Sequence, residues 1–162
     1  MPDLRKQLQS ALRGRVCFMG LGNTAGGDDG LGLRLAETLR RAGVPDVVIA
    51  GTIPEHLVGR YADSGFDHLV FLDAVDFRAP PGSAVFLNSE EIAARYPQVS
   101  THKIALGILA KYIEHSEVTQ VWLLGVQPGS LKAGVDLSPA VETTVAVLAD
   151  LIRGIIKKRN RK

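Results

Sequence analysis

The segment RVCFMGLGNTAGGDDGLG, from Arg15 to Gly32, decides the fold of this chain. It reads as an apolar strand, a glycine-rich turn and the acidic start of a helix, which is how an alternating α/β domain begins. In such domains ligands bind at the turn after the carboxyl end of a strand. Two adjacent carboxylates, Asp28 and Asp29, occupy that position. The segment therefore predicts a polar site at one edge of a sheet.

Strands and helices alternate along the rest of the chain. The segment after Asp73 contains RAPPGS and has no helical periodicity, so it is too short for a parallel crossover and predicts an antiparallel strand at 84–87. We expect an α/β fold, a three-layer α/β/α sandwich around a five-stranded, mostly parallel sheet with one antiparallel strand. The predicted strands cover 16–21, 47–50, 68–72, 84–87 and 121–126.

Polar residues and apolar stripes predict the helices. Asp3 is expected to cap a leading helix within residues 1–14, Ser89 a short helix to Arg95, and Ser138 the last helix. One of the acidic pair is expected to cap the helix that runs from the DDG corner to Gly43. A further helix is predicted over 54–62. The helix that Ser100 and Thr101 open is expected to bury Ala105, Ile108, Leu109 and Tyr112, and the last helix Val141, Val145, Leu148 and Ile152.

Composition indicates one globular domain over residues 1–156. Of the 162 residues, 46% are apolar and 22% charged, and no apolar run reaches the roughly 20 residues of a membrane helix. The chain begins without an apolar signal region and has one cysteine, Cys17, which favours the cytoplasm. The whole chain has a net charge of +2, and its last six residues carry five positive charges, so the remainder has a net charge of −3. We expect 157–162 to be a disordered basic tail, no nucleic-acid partner and a monomer.

Two simple interpretations of the opening segment compete with a catalytic one. Gly20, Gly22 and Ala25 satisfy the dinucleotide pattern GxGxx(G/A). However, Asp28 and Asp29 would repel a pyrophosphate at that helix start, and the second strand ends without the acidic residue that holds a ribose. In the second interpretation the acidic pair only stabilises the start of a helix, and the local sequence is at least as compatible with this role as with a catalytic one.

Two more residues are expected at the same edge. Asp73 ends the third strand, and His102 lies in the first turn of a helix that leads to the last strand. Together with Asp29 or Asp28, these two residues supply two carboxylate oxygens and one imidazole nitrogen. Such a donor set suits zinc, nickel or manganese. A structural role for each remains an alternative. Cys17 lies in an apolar strand and no GxSxG motif is present, so hydrolysis would use activated water.

Five segments of the chain resemble the maturation endopeptidases of nickel-iron hydrogenases, most closely the hydrogenase-3 type. They are GLGNTAGGDDGLG (20–32), IPE (53–55), FLDAVD (71–76), STHKIALGIL (100–109) and LLGVQP (123–128). The resemblance implies a protease that removes the C-terminal extension of the hydrogenase large-subunit precursor after nickel insertion. It also implies a five-stranded mixed sheet. The family's acidic residue after the second strand is absent here, where the chain reads IAGT (49–52).

Carried over by position, the resemblance implies Asp29, Asp73 and His102 as metal ligands and catalytic residues. The nickel would come with the substrate, and Asp28 or Asp76 would handle protons. Three alternatives stay open. In the first, the protein carries its own zinc or another divalent ion at this site. In the second, it is a peptidyl-tRNA hydrolase-like esterase, because that family also opens with GLGN. In the third, it is a chaperone that binds the nickel-loaded subunit without cleaving it.

Overall fold

The computed structural model describes residues 3–52, 60–61, 64–95, 106–115 and 118–161. The strands are β1 Val16–Leu21, β2 Val47–Gly51, β3 His68–Ala74, β4 Ala84–Asn88 and β5 Gln120–Val126. The helices are α1 Leu4–Ala11, α2 Leu31–Arg41, α3 Ser89–Arg95, α4 Leu106–Glu114 and α5 Pro139–Asn160. A 3-10 segment, Thr24–Gly30, joins β1 to α2. Most of the predicted 54–62 helix and the start of the helix predicted from Ser100, including His102, lie outside the described residues.

Within the described residues the strands form one five-stranded sheet in the order β2-β1-β3-β5-β4. β1 pairs in parallel with β2 and β3, and β3 pairs in parallel with β5. β4 runs antiparallel to β5, as the short segment after Asp73 requires. The prediction of a mostly parallel sheet with one antiparallel strand is confirmed.

Helices cover both faces of the sheet. Successive strand residues point to opposite faces, so Val16 and Phe18 of β1 pack with α1, α2 and α5, while Cys17 and Met19 pack with α3 and α4. All six residues of β1 are buried, and the strand contributes side chains to the apolar clusters on both faces of the sheet. The predicted three-layer sandwich is therefore confirmed. Among the described helices, none is long and apolar enough to span a membrane.

Gly32 lets α2 approach the ends of β1 and β3 closely. A Cβ at this position would lie 2.1 Å from the carbonyl oxygen of Leu72 and 2.4 Å from that of Leu21. No side chain fits there, so the start of α2 contacts the backbone of both strands. This contact fixes the turn that precedes α2 against the end of β3.

The predicted buried face of α4 is wrong in two of its described positions. Ile108 and Tyr112 are each 65% exposed, whereas Leu106, Leu109, Ala110 and Ile113 are buried. Ala105 lies outside the described residues. Apolar residues occupy adjoining faces of this helix, so two stripes satisfy helical spacing and only the position of the sheet selects between them.

Asn88, rather than Ser89, caps α3. The N–H of Glu91 donates to Asn88 Oδ1 at 2.9 Å, and the N–H of Asn88 donates to Glu91 Oε1 at 3.2 Å. This reciprocal pair is a capping box. Ser89 begins the helix, and its hydroxyl donates to Glu114 instead.

The basic C-terminal segment is helical for most of its length, contrary to the prediction of a disordered tail over 157–162. α5 continues through Asn160. Ile156 is 3% exposed, and Arg159 Nη1 donates to the carbonyl oxygen of Leu12 at 3.4 Å. Contacts of the helix with the end of α1 therefore extend beyond the predicted boundary.

Candidate functional site

The candidate site lies at the carboxyl edge of the sheet, where the strand order reverses. From β1 the chain passes through α2 to β2 on one side, and β3 then pairs on the other side of β1. Open α/β sheets bind ligands in the crevice at such a switch point. The turn after β1 carries Asp28 and Asp29, and Asp73 is the penultimate residue of β3. The structure thus brings the predicted acidic corner and Asp73 to the same edge.

Gly22 shows how close these groups are. A Cβ at Gly22 would lie 1.9 Å from the carbonyl oxygen of Asp29 and 3.9 Å from Asp73 Oδ1. The Asp29 carbonyl also accepts the N–H of Asn23 at 3.1 Å, which closes the turn. Asp73 is 5% exposed, and its Oδ1 accepts the N–H of Ala74 at 2.9 Å. Asp29 is half-buried, so both carboxylates occupy a partly desolvated corner.

Asp28 belongs to a different set of contacts. Its carboxylate is fully buried, and it accepts the N–H groups of Gly129, Ser130 and Ser138 at 2.7, 2.9 and 2.7 Å. The Ser138 hydroxyl donates to the same carboxylate at 2.8 Å. Burial alone would raise the pKa of Asp28, but these bonds outweigh it and hold the pKa below its usual range. Asp28 is therefore an ionised residue that joins the turn after β1 to the start of α5.

The prediction that one of the acidic pair caps α2 is wrong, whereas the predicted N-cap position of Ser138 at α5 is confirmed. The N-cap of α2 is Gly30, which makes no side-chain cap bond, so neither member of the acidic pair occupies that position. Ser138 is at the N-cap position of α5, but its side chain makes no cap bond. Its hydroxyl goes to Asp28 instead. Asp28 lies 110 residues before Ser138, so local sequence patterns do not reveal the pair.

Asp76 shapes the turn that follows β3. Its Oδ1 accepts the N–H of Arg78 and the side-chain amide of Gln127, each at 3.1 Å, and the bond from Arg78 is the main reason its pKa lies below the usual range. Gln127 Oε1 in turn accepts the N–H of Phe77 at 2.8 Å. Gln127 is buried and was missed by sequence reasoning, although QPG directly follows β5 at the same edge. A proton-handling role for Asp76 stays a prediction.

The third predicted ligand, His102, lies outside the described residues. The described part of the chain contains no group of three His, Cys, Asp or Glu side chains placed to hold a metal ion. Asp29 and Asp73 supply carboxylate oxygens, which suit hard and borderline divalent cations. The described residues therefore provide two fitting donors, and the complete ligand set stays a prediction.

Two other candidate groups have structural roles. Cys17 is fully buried, and burial, with a smaller effect of Asp46, raises the pKa of its thiol to about 12, so it is not a nucleophile at neutral pH. His68 lies at the opposite end of β3 from Asp73. Its Nδ1 accepts the indole N–H of Trp122 at 3.1 Å.

Comparisons with known proteins agree on one family. The HycI family model, described as hydrogenase maturation protease, matches residues 33–155. The hydrogenase 2 maturation protease of Escherichia coli K12 is 30% identical over 139 residues, which are 81% of this chain and 84% of that protein.

Solved structures show the same similarity. The crystal structure of the [NiFe] hydrogenase maturation protease HycI from Thermococcus kodakarensis KOD1 has a TM-score of 0.83 and 32% identity, covering 93% of this chain and 99% of that one. The hydrogenase maturating endopeptidase HybD from Escherichia coli has a TM-score of 0.73 and 27% identity, with coverages of 90% and 93%.

These findings confirm the resemblance carried by the five sequence segments and favour it over a peptidyl-tRNA hydrolase-like esterase. The relatives are named as proteases or endopeptidases, which hydrolyse peptide bonds. The matched range contains Asp73 and His102 and begins after the acidic pair. The chain belongs to the hydrogenase maturation protease family and is a peptide-bond hydrolase.

Proposed function

We propose that this protein removes the C-terminal extension of a nickel-iron hydrogenase large-subunit precursor after nickel has been inserted. The observation that carries the proposal is the position of Asp73 and of the turn that carries Asp29 beside each other at the switch point of the sheet, in a chain of this protease family. Two carboxylates at one corner suit recognition of a divalent cation better than recognition of a peptide alone.

In this proposal nickel belongs to the substrate. Asp29, Asp73 and His102 complete the coordination of nickel held by the precursor, so only a loaded precursor docks productively. Asp73 is 5% exposed, and its attraction to a cation is stronger there than in bulk water. The bound nickel also polarises the scissile carbonyl or lowers the pKa of the attacking water.

The test uses precursors of several hydrogenases, each in nickel-loaded and apo form, and follows the mass of the C-terminus. We expect loss of the terminal peptide from one loaded precursor and none from its apo form. Cleavage of the apo form at an equal rate would contradict nickel recognition. Tight binding of every loaded precursor without cleavage would instead favour a chaperone.

Three variants test the ligand set. Asp29→Asn, Asp73→Asn and His102→Ala should each reduce cleavage by about 100-fold or more, because each removes a donor to the cation. Asp150→Asn is the matched control, since its carboxylate is 79% exposed on α5 and pairs only with Arg153, at 3.7 Å, among the described ion pairs. Full activity of all three variants would show that the site is misplaced. Circular dichroism checks that each variant folds.

Metal content separates the proposal from a resident metal. The purified protein should contain less than one divalent ion per chain, measured by mass spectrometry of the elements. One equivalent of zinc that depends on Asp73 would identify the ion as the protein's own and contradict the substrate-nickel version.

A further inference from the structure

Asp28 is a buried carboxylate that the proposed reaction does not use. Its four hydrogen bonds all come from residues 129–138. Two backbone bonds add to them, because the Asp28 N–H donates to the carbonyl of Ser130 at 2.8 Å and the Gly134 N–H donates to that of Ala25 at 3.1 Å. The turn after β1 thus holds the chain between β5 and α5 from several sides.

The part of the chain that is held in this way, residues 128–137, contains no helix or strand. Residues 129–136 are exposed, so little burial fixes their conformation. Its described backbone bonds lead mainly to the turn after β1, with a local bond from the Lys132 N–H to Ser130 Oγ. The 128–137 segment is therefore joined to the turn after β1 mainly through Asp28.

A cleft of about 110 Å³ separates the segment from the turn. Thr24, Gly27 and Gly30 line it on the side of the turn, and Val135, Asp136 and Leu137 on the side of the segment. Arg34 and Glu37 of α2 complete the wall, so charged as well as apolar residues line the cleft. Gly27 and Gly30 flank the acidic pair in the sequence. The cleft thus adjoins the turn that carries Asp29.

We infer that Asp28 is a positioning residue, whose carboxylate holds the 128–137 segment against this turn and keeps the cleft in shape for the precursor chain beside its cleavage point. This inference rests on the proposed function. The carboxylate is needed because both of its oxygens accept N–H groups. An asparagine at this position would turn an NH₂ group towards one of these donors and leave it unpaired.

Asp28→Asn, Ser138→Ala and the control Asp150→Asn test the inference. Hydrogen exchange is measured at the amides of 129–138 and of β5, and kcat and KM are measured with nickel-loaded precursor, each at a temperature where every variant is folded. In Asp28→Asn we expect exchange at Gly129, Ser130 and Ser138 to be about tenfold faster and KM to rise about tenfold, with kcat within about twofold. Ser138→Ala, which removes only the hydroxyl bond, should show smaller changes in the same direction.

Folded Asp28→Asn with unchanged exchange and unchanged KM would overturn the inference. So would a loss of kcat with a shifted pH profile and unchanged KM, because that result would assign proton transfer to Asp28. If Asp28→Asn does not fold, Ser138→Ala decides by the same measurements. If the wild type cleaves no precursor, the proposed function fails, and the exchange rates still test whether Asp28 holds the segment.

Discussion

At Gly22, two separate features exclude a side chain. Its φ of 125° lies in a region that L-residues rarely adopt, and a Cβ would lie 1.9 Å from the Asp29 carbonyl oxygen. The first feature concerns the backbone of Gly22 itself, and the second concerns the position of the neighbouring turn. This glycine therefore determines how closely Asp29 approaches the end of β1.

Replacing Gly22 by alanine should move the turn that carries Asp29. We expect Gly22→Ala to lower the free energy of unfolding by about 2–4 kcal/mol and to reduce cleavage about tenfold or more. Gly43→Ala is the matched control, because Gly43 also has a positive φ, of 85°, but nothing lies within 4 Å of its added Cβ. It should cost only about 1 kcal/mol of strain. Equal costs in urea unfolding would show that the contact with Asp29 does not matter.

His68 should make stability depend on pH away from the candidate site. Burial lowers its pKa below 6.5, against a smaller opposing effect of Asp67, and its neutral ring accepts the Trp122 N–H. The unfolded chain therefore binds a proton at His68 more readily than the folded protein does. The contribution of neutral His68 to the free energy of unfolding is complete above pH 6.5 and declines as the pH falls towards the lower pKa of the folded state.

Urea unfolding of the wild type and of His68→Gln between pH 8 and pH 5 measures this effect. The glutamine oxygen still accepts the indole N–H but does not titrate, and the other histidines are common to both proteins. The difference in unfolding free energy between the wild type and His68→Gln should be constant above pH 6.5. Below pH 6.5 the wild type should lose stability relative to His68→Gln. A constant difference over the whole range would contradict the lowered pKa.

At the scale of elements, α4 allows the sharpest internal comparison. Ile108 is 65% exposed and Ile113 is fully buried, so one helix carries the same residue type in both environments. Ile113→Ala should cost about 2–5 kcal/mol, because it leaves a cavity in the core below the sheet. Ile108→Ala should change the free energy of unfolding by less than about 0.5 kcal/mol. Similar costs in chemical denaturation would contradict the observed face of the helix.

The order and type of the described elements along the chain, and the antiparallel direction of β4, follow from local patterns in the sequence, whereas the order of the strands within the sheet does not. The apolar run of β1, the helical stripes of α2 and α5 and the aperiodic segment before β4 each specify their element without knowledge of the rest. The buried face of α4 does not, because two apolar stripes compete and only the facing sheet chooses between them. The capping role of Asn88 is not predicted for a similar reason, since the neighbouring residue Ser89 is an equally suitable N-cap by residue type.

Some contacts of the candidate site can likewise be predicted from the sequence and others cannot. Asp29 and Asp73 follow from the rule that parallel strands end at one edge, which sequence order alone supplies. The partners of Asp28 depend on how α5 docks more than 100 residues later, and Gln127 depends on the turn after β3 that it binds. Contacts of this kind are set by three-dimensional packing, so the sequence separates Asp29 from Asp28 but does not predict that Asp28 binds the start of α5.

At the scale of the whole molecule, the sheet is shared by both apolar clusters. Val70 of β3 packs into one cluster and Leu69 into the other, so damage on either face weakens the same strand. We expect one cooperative unfolding transition. Trp122, the single tryptophan, stacks on Phe86 with ring centroids 4.9 Å apart and reports on this sheet.

Tryptophan fluorescence and far-ultraviolet circular dichroism should therefore give coincident unfolding curves. Leu69→Ala and Val70→Ala should each shift both curves together to lower urea concentration, although their side chains lie on opposite faces. Two separated transitions, or a shift of only one probe in either variant, would show that the layers unfold independently.

The bonds between Asp28 and Ser138 also bear on the stage of folding at which the cleft beside the Asp29 turn can form. They join residues 110 positions apart, and contacts at such separation form later in folding than local ones. A chain that has not yet docked α5 has the turn that carries Asp29 but lacks the cleft between this turn and the 128–137 segment. If this cleft holds the precursor as inferred above, the protease acquires it only after the C-terminal helix has been synthesised and packed, and we expect unfinished chains to be poor proteases.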